Sequence, residues 1–256
     1  MNGKAQFLVI VALTLSILLI SITLVIYETT TLVEISPISD EWFITLDVEH
    51  DFPRALARAL AVATSNSQAT NETASSNASE VLETWRTAFL FAYATEGVKA
   101  NVTRNSGFIL APGLTFHDYV ILRWKSPKAI SAISASLRVD CESAGLYGWN
   151  YTYVVYLNVT VLVDDITMVE GEQNTPKYNV TLIVTNERGP VEDLDLSNFH
   201  VFETPENEIS IENLYIFESG KYIVSFSTSS TTVNIMVVDN RGIRVYVNDI
   251  PLKGTS

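Results

Sequence analysis

Residues 129–163, AISAISASLRVDCESAGLYGWNYTYVVYLNVTVLV, hold two β-forming runs about a turn-rich middle. The first, Ala129–Cys141, repeats with a period of two. The second, Tyr151–Val163, is dense in β-branched and aromatic residues, and SAGLYGWN between them supplies two glycines and an asparagine. Such a pattern predicts an antiparallel hairpin. Upstream, Val98, Ala100 and Val102 alternate, as do Tyr119, Ile121 and Arg123, until Pro127 breaks the run. The hairpin is thus expected to close an antiparallel meander.

Helical spacing precedes the meander. Asp51 is expected as an N-cap with Pro53 in the first turn, and Phe52, Leu56, Leu60 and Ala63 then share one face while Arg54 and Arg58 lie on another. EWFITLDVEH, residues 41–50, alternates through Phe43, Thr45 and Asp47 and reads as extended. A second helix is expected from about Ser79 to Glu96, with Leu82, Trp85, Phe89 and Ala92 on its face and Gly97 as its stop. The polar stretch SNSQATNETASSNAS would join the two as a loop. A helical pair followed by a meander predicts an α+β domain over residues 38–166.

Residues 167–177 form a turn-rich linker, and from residue 178 to 251 the chain is β-patterned throughout, with 252–256 as a tail. Turns fall at Arg188-Gly189-Pro190, Pro205-Glu206-Asn207, Ser219-Gly220 and Asn240-Arg241-Gly242, a spacing that suggests a β-sandwich. VTNERGPVEDLDLSNFHVF, SGKYIVSF and VNIMVVDNRGIRVYV resemble strands of prokaryotic immunoglobulin-like domains. That resemblance spans about 70 residues and implies a fold but no activity. Tyr222, Val224, Phe226, Val233, Ile235 and Val237 are the expected inward faces.

At the other end, residues 7–27, FLVIVALTLSILLISITLVIY, carry no charge, and their polar side chains are limited to Thr14, Ser16, Ser21, Thr23 and Tyr27. At ~1.5 Å rise per residue this length spans a hydrocarbon core of ~30 Å. Apolar residues cover every face, unlike a half-buried helix, and no small-x-small cleavage site follows. Lys4 precedes the run; all 29 acidic residues and 15 of the 16 basic ones follow it. The positive-inside rule then predicts a cytoplasmic stub over residues 1–6, a transmembrane helix over 7–27 and an outward-facing body at the cell membrane. Lys4-Ala5-Gln6 ahead of the run resembles the processing site of archaeal type IV pilin precursors, which implies cleavage after Ala5 and a filament subunit. The chain departs from the pilin pattern in carrying Ile10 near the place of the early glutamate, and in Thr29–Thr31 and Pro37 soon after the span.

With a net charge of −13, nucleic acid is excluded as a main partner; the lipid bilayer and other envelope proteins are the expected ones. Cys141 is the sole cysteine and is expected to be buried; no internal disulfide is possible, so the body must rely on its hydrophobic core. Asn-x-Ser/Thr sequons stand at Asn71, Asn77, Asn101, Asn150, Asn158 and Asn179. A glycosylated, acidic, disulfide-free ectodomain fits an archaeal cell surface best; in a bacterial chain the sequons would be accidental.

Chemical motifs are sparse. His50, His117 and His200 lack the paired spacing of a zinc site. Asp47, Glu49, His50 and Asp51 alternate sides if extended, and no nucleophile elbow, phosphate loop or dinucleotide fingerprint occurs. Glu192, Asp193 and Asp195 can be read as calcium ligands or as solvated turn residues. Tyr147, Trp149, Tyr151 and Tyr153, with Arg123-Trp124-Lys125 upstream, can be read as a stacking surface for sugar or protein, or as packing against the helices. The expectation is therefore a non-catalytic binding or structural protein with no catalytic residues, cofactor or metal; the alternatives are a pilin-like subunit and an envelope hydrolase.

Overall fold

The computed structural model describes Ser16 and residues 40–162, 166–169 and 175–252. The chain divides into two compact units, residues 1–46 and 47–256. The expected membrane span lies outside the described residues apart from Ser16, which is helical and exposed. Among the described residues no helix is long and apolar enough to cross a membrane.

Helix α1 covers Asp40–Ala63, so it begins well before the expected cap at Asp51. Val48, Phe52, Leu56 and Leu60 recur every fourth residue and are fully buried, and this spacing outweighs the weaker alternation read in residues 41–50. Pro53 sits inside the helix and forfeits only the bond to the Glu49 carbonyl. Helix α2, Asn71–Ala92, also starts earlier than expected. Thr70 caps it by accepting from the Thr73 amide at 3.3 Å while Thr73 Oγ1 accepts from the Thr70 amide at 2.9 Å. Two of the sequons expected in a loop, Asn71 and Asn77, are consequently helical. Trp85 stacks on Phe89 and also meets Phe52, each pair 5.4 Å apart, which identifies this aromatic stripe as core.

The expected hairpin forms. Strands β1 (Lys99–Arg104), β2 (Ile109–Ala111), β3 (Leu114–Thr115), β4 (Val120–Arg123), β5 (Lys128–Cys141) and β6 (Leu146–Val161) follow the helices, and β5 pairs β6 antiparallel from Lys128↔Thr160 to Cys141↔Leu146. β1 and β4 both lie on the other edge of β5, end to end. Residues 129–135 are buried without alternation, so β5 is covered on both faces. Ile130 and Ala132 pack with Phe116 and Ile121 on one face. On the other, Ser131 Oγ donates to the Arg244 carbonyl at 2.6 Å and accepts from Trp124 Nε1 at 3.0 Å. Small Ala and Ser side chains allow both layers to approach.

The exposed edge of β4 is closed by α2. Asn71 Oδ1 accepts from the Leu122 amide at 2.6 Å, and Ser75 Oγ from the Val120 amide at 3.1 Å. Unpaired edge donors are thereby satisfied.

The rest of the chain supplies β7 (Thr167–Val169), β8 (Lys177–Asn186), β9 (Gly189–Pro190), β10 (Phe199–Thr204), β11 (Asn207–Ile209), β12 (Ile211–Phe217), β13 (Lys221–Ser227), β14 (Thr232–Val238) and β15 (Arg244–Pro251). β8, β13 and β12 form one layer and β11-β10-β14-β15 the other. Phe199 of the second layer meets Tyr222 of the first at 5.0 Å. The six inward residues expected here, from Tyr222 to Val237, are all buried. The fold is α+β, two helices on antiparallel sheets. Its first layer is not separate: β6 pairs β8 over Leu157↔Asn186 to Val161↔Leu182, making one nine-stranded sheet among the described residues.

Candidate functional site

Opposite its buried stripe, α1 carries Arg54 and Arg58 one turn apart. Together with Pro53, Ala57 and Ala61 they form one wall of a cleft of about 740 Å³. β6 supplies the facing wall. Tyr151 and Tyr153 project from alternate positions on one side of that strand, and Val155 continues the row. Trp149, Tyr151 and Tyr153 form a ladder: the first two rings are 5.7 Å apart and 9° from parallel, the second pair 6.0 Å and 23°. Tyr151 also sets its edge on Phe52 at 6.2 Å, which fixes the ladder to the core. Burial pushes the Tyr151 phenol above its ordinary pKa, and Tyr153 and Glu49 add to the shift. It is therefore a hydrogen-bond donor at neutral pH.

The end of the cleft is built from two turns. Glu187 and Arg188 come from the β8–β9 turn, Arg241 from the β14–β15 turn. Arg241 donates to Glu187, to Asp239 Oδ2 at 2.7 Å and to the Tyr156 carbonyl at 3.2 Å. Glu187 in turn accepts from the Tyr156 amide at 3.2 Å. Asp239, only 4% exposed in its side chain, also accepts from the amides of Arg241 and Ile243 at 2.9 and 3.0 Å. Arg241 is thus committed to structure.

Arg58 and Arg188 are not. Among the described residues neither guanidinium has a hydrogen bond or an acidic partner, and Arg54 reaches Asp51 only at 3.8 Å with both side chains well exposed. A molecule of net charge −13 places four of its 16 basic residues around one cleft; Glu49 and Glu187 line it with them, and Asp51 and Asp239 stand behind Arg54 and Arg241. Guanidiniums free of protein partners beside aromatic rings can hold a planar anion and stack a ring next to it.

The residues singled out in the sequence are scattered. Glu192 accepts from the Ser219 amide at 2.9 Å, Asp193 from Asn240 Nδ2 at 2.6 Å, and Asp195 caps the short turn at Leu196–Asn198 through the Ser197 amide at 2.8 Å. Each carboxylate serves a local donor and they do not converge. Among the described residues no three His, Cys, Asp or Glu side chains are grouped to hold a metal ion. His200 Nδ1 lies 2.7 Å from Glu208 on the far layer, away from the cleft, which His50 does line. Cys141 is buried, with Sγ 3.4 Å from the Glu96 carbonyl. Of the sequons, Asn71, Asn77, Asn101 and Asn150 are exposed, whereas Asn158 and Asn179 are half-buried within the sheet.

The cleft itself escapes a reading by sequence. Arg54 and Arg58 give a local signal, a four-residue spacing off the apolar face; Arg188 and Arg241 lie in turns more than 120 residues downstream. Comparison with protein-family models, curated proteins and solved structures gave no match to this chain.

Proposed function

We propose that this chain is a membrane-tethered, N-glycosylated cell-surface protein of archaeal type, whose outward-facing body binds a ligand or neighbouring envelope proteins and performs no catalysis. The observation that carries the reading is the uncharged run Phe7–Tyr27, with Lys4 before it and every acidic residue behind it. Four exposed sequons on an acidic surface without disulfides support it. The two-layered β region, with turns at Gly189-Pro190 and Ser219-Gly220, supports an immunoglobulin-like module as spacer or docking surface. The arginine- and tyrosine-lined cleft is the binding site in this reading.

Mass spectrometry of the native full-length protein extracted from membranes tests it. An intact N-terminus, partition with the membrane fraction and glycan mass on the exposed asparagines are expected. Recovery in the soluble fraction with bare asparagines would overturn it.

A second reading, a pilin-like filament subunit, draws on Lys4-Ala5-Gln6 and on β12. That edge strand exposes about half of each of the Tyr215, Ile216 and Phe217 side chains, an apolar surface available to assembly. A mature N-terminus at Gln6 together with filaments by microscopy would select this reading over the first.

A further inference from the structure

We propose that the cleft between α1 and β6 binds a carboxylated oligosaccharide. Arg58 and Arg188 hold its acid groups, and Tyr151 and Tyr153 carry its rings. The inference rests on the binding role proposed above and names the ligand for it.

Electrostatics single out the place. Acidic residues outnumber basic ones 29 to 16 over the chain, yet four arginines gather at this cleft, and only Arg54 and Arg241 meet carboxylates there, Asp51 for the first and Glu187 with Asp239 for the second. The two arginines without partners are the informative ones, since a guanidinium fork is matched by a carboxylate and neither receives one from the protein. The site is also held in shape. Arg241 fixes the β8–β9 turn that carries Arg188 by bonding Glu187 and the Tyr156 carbonyl, so the ligand need not order that turn.

The tyrosines decide the class of anion. Tyr151 and Tyr153, nearly parallel along one strand, line the cleft, and aromatic rings attract the polarised C–H groups of a sugar ring. An inorganic anion would use the arginines alone and leave the cleft-lining rings of Tyr151 and Tyr153 without a ligand contact. A nucleic acid would meet the repulsion of the surrounding −13 charge over its whole length. A short saccharide with one carboxylate per ring uses both features and reaches little beyond them.

The test is calorimetric titration of the full-length chain in nonionic detergent with hexagalacturonate, with neutral maltohexaose and inorganic phosphate as comparison probes. Hexagalacturonate is expected to bind, to weaken as salt rises, and to lose about tenfold in affinity in each of Arg58→Gln, Arg188→Gln and Tyr153→Ala. Both arginine variants remove unpartnered, solvent-facing groups, so their thermal unfolding should match the parent. Maltohexaose should bind at least about tenfold more weakly than the acid. Absence of hexagalacturonate binding, equal binding of the neutral hexamer, or indifference to both arginine substitutions would overturn the proposal. Phosphate binding that depends on the arginines, with hexagalacturonate indifferent to Tyr153→Ala, would also overturn it by reducing the cleft to a simple anion site. Membrane extraction is read separately, so saccharide binding can fail while the anchor stands, and the reverse.

Discussion

Arg241 donates to the main-chain carbonyl of Tyr156 at 3.2 Å, joining the last hairpin to a strand 85 residues upstream. The same guanidinium holds Glu187 and Asp239, whose side chains are 10% and 4% exposed. Three separate stretches of the chain are therefore closed by one side chain.

Removing that side chain leaves two buried carboxylates without their cation. Arg241→Ala is expected to cost about 3–5 kcal/mol. Urea unfolding of the full-length chain in detergent, followed by tryptophan fluorescence, measures it. Arg241→Lys should recover only part of the loss, because an ammonium cannot serve Glu187, Asp239 and the Tyr156 carbonyl in one plane. An unchanged urea midpoint for the alanine variant would rule out a closing role for Arg241.

Gly220 is buried at φ +67°, and its carbonyl accepts from the Val184 amide at 2.9 Å. A Cβ there would collide with the Val184 carbonyl and come within 3.1 Å of the Val191 backbone. Gly220→Ala should destabilise by at least about 1–3 kcal/mol, since left-handed strain and backbone overlap add. Thermal unfolding reads the loss. Gly107→Ala serves as the comparison: also at positive φ but with open space around it, it should cost less.

Tyr93 donates its phenol to Asp47, and burial followed by that carboxylate raises its pKa above the ordinary value of 10.0. The native chain thus retains the phenolic proton where the unfolded chain has lost it. The stability this supplies is complete below about pH 10 and falls as the pH climbs from there toward the raised native value. Tyr93→Phe should flatten this alkaline decline in unfolding curves taken between roughly pH 9 and 11. A decline as steep as the parent's would place its origin elsewhere.

The sequons should divide by position in the sheet. Asn158 Nδ2 donates to Thr185 Oγ1 at 3.1 Å, and Asn179 Oδ1 accepts from Ser225 Oγ at 2.5 Å; both side chains are half-buried. A glycan is carried on the amide nitrogen, so at Asn158 it would displace the bond to Thr185, and at both positions it would need room that the half-buried sheet does not leave. Glycopeptide mass spectrometry is expected to find occupancy among Asn71, Asn77, Asn101 and Asn150 and none at Asn158 or Asn179.

Much of the secondary structure was legible because it depends on short periodicities. Val98, Ala100 and Val102 alternate and are buried; the β5–β6 pair lies where two β-rich runs flank a glycine turn. Errors arose where two periods overlapped. Residues 41–50 carry a partial alternation, yet the helical repeat that continues through Val48, Phe52 and Leu56 buries more apolar surface and prevails. The start of α2 was hidden because Thr70 and Thr73 cap each other, without the acidic or amide partner usual in that motif.

From sequence alone come the uncharged run Phe7–Tyr27, the acidic balance, the lone cysteine, the sequons and the inward faces of the C-terminal strands. These are properties of composition and local spacing, which need no partner to be read. Tertiary structure alone decided that β6 pairs β8, that β5 is buried on both faces, and that Arg54, Arg58, Arg188 and Arg241 line one cleft with Tyr151 and Tyr153. The physical reason is chain closure: strand pairings and guanidinium contacts between residues far apart in the chain depend on how the layers stack, and no repeat in the sequence encodes that.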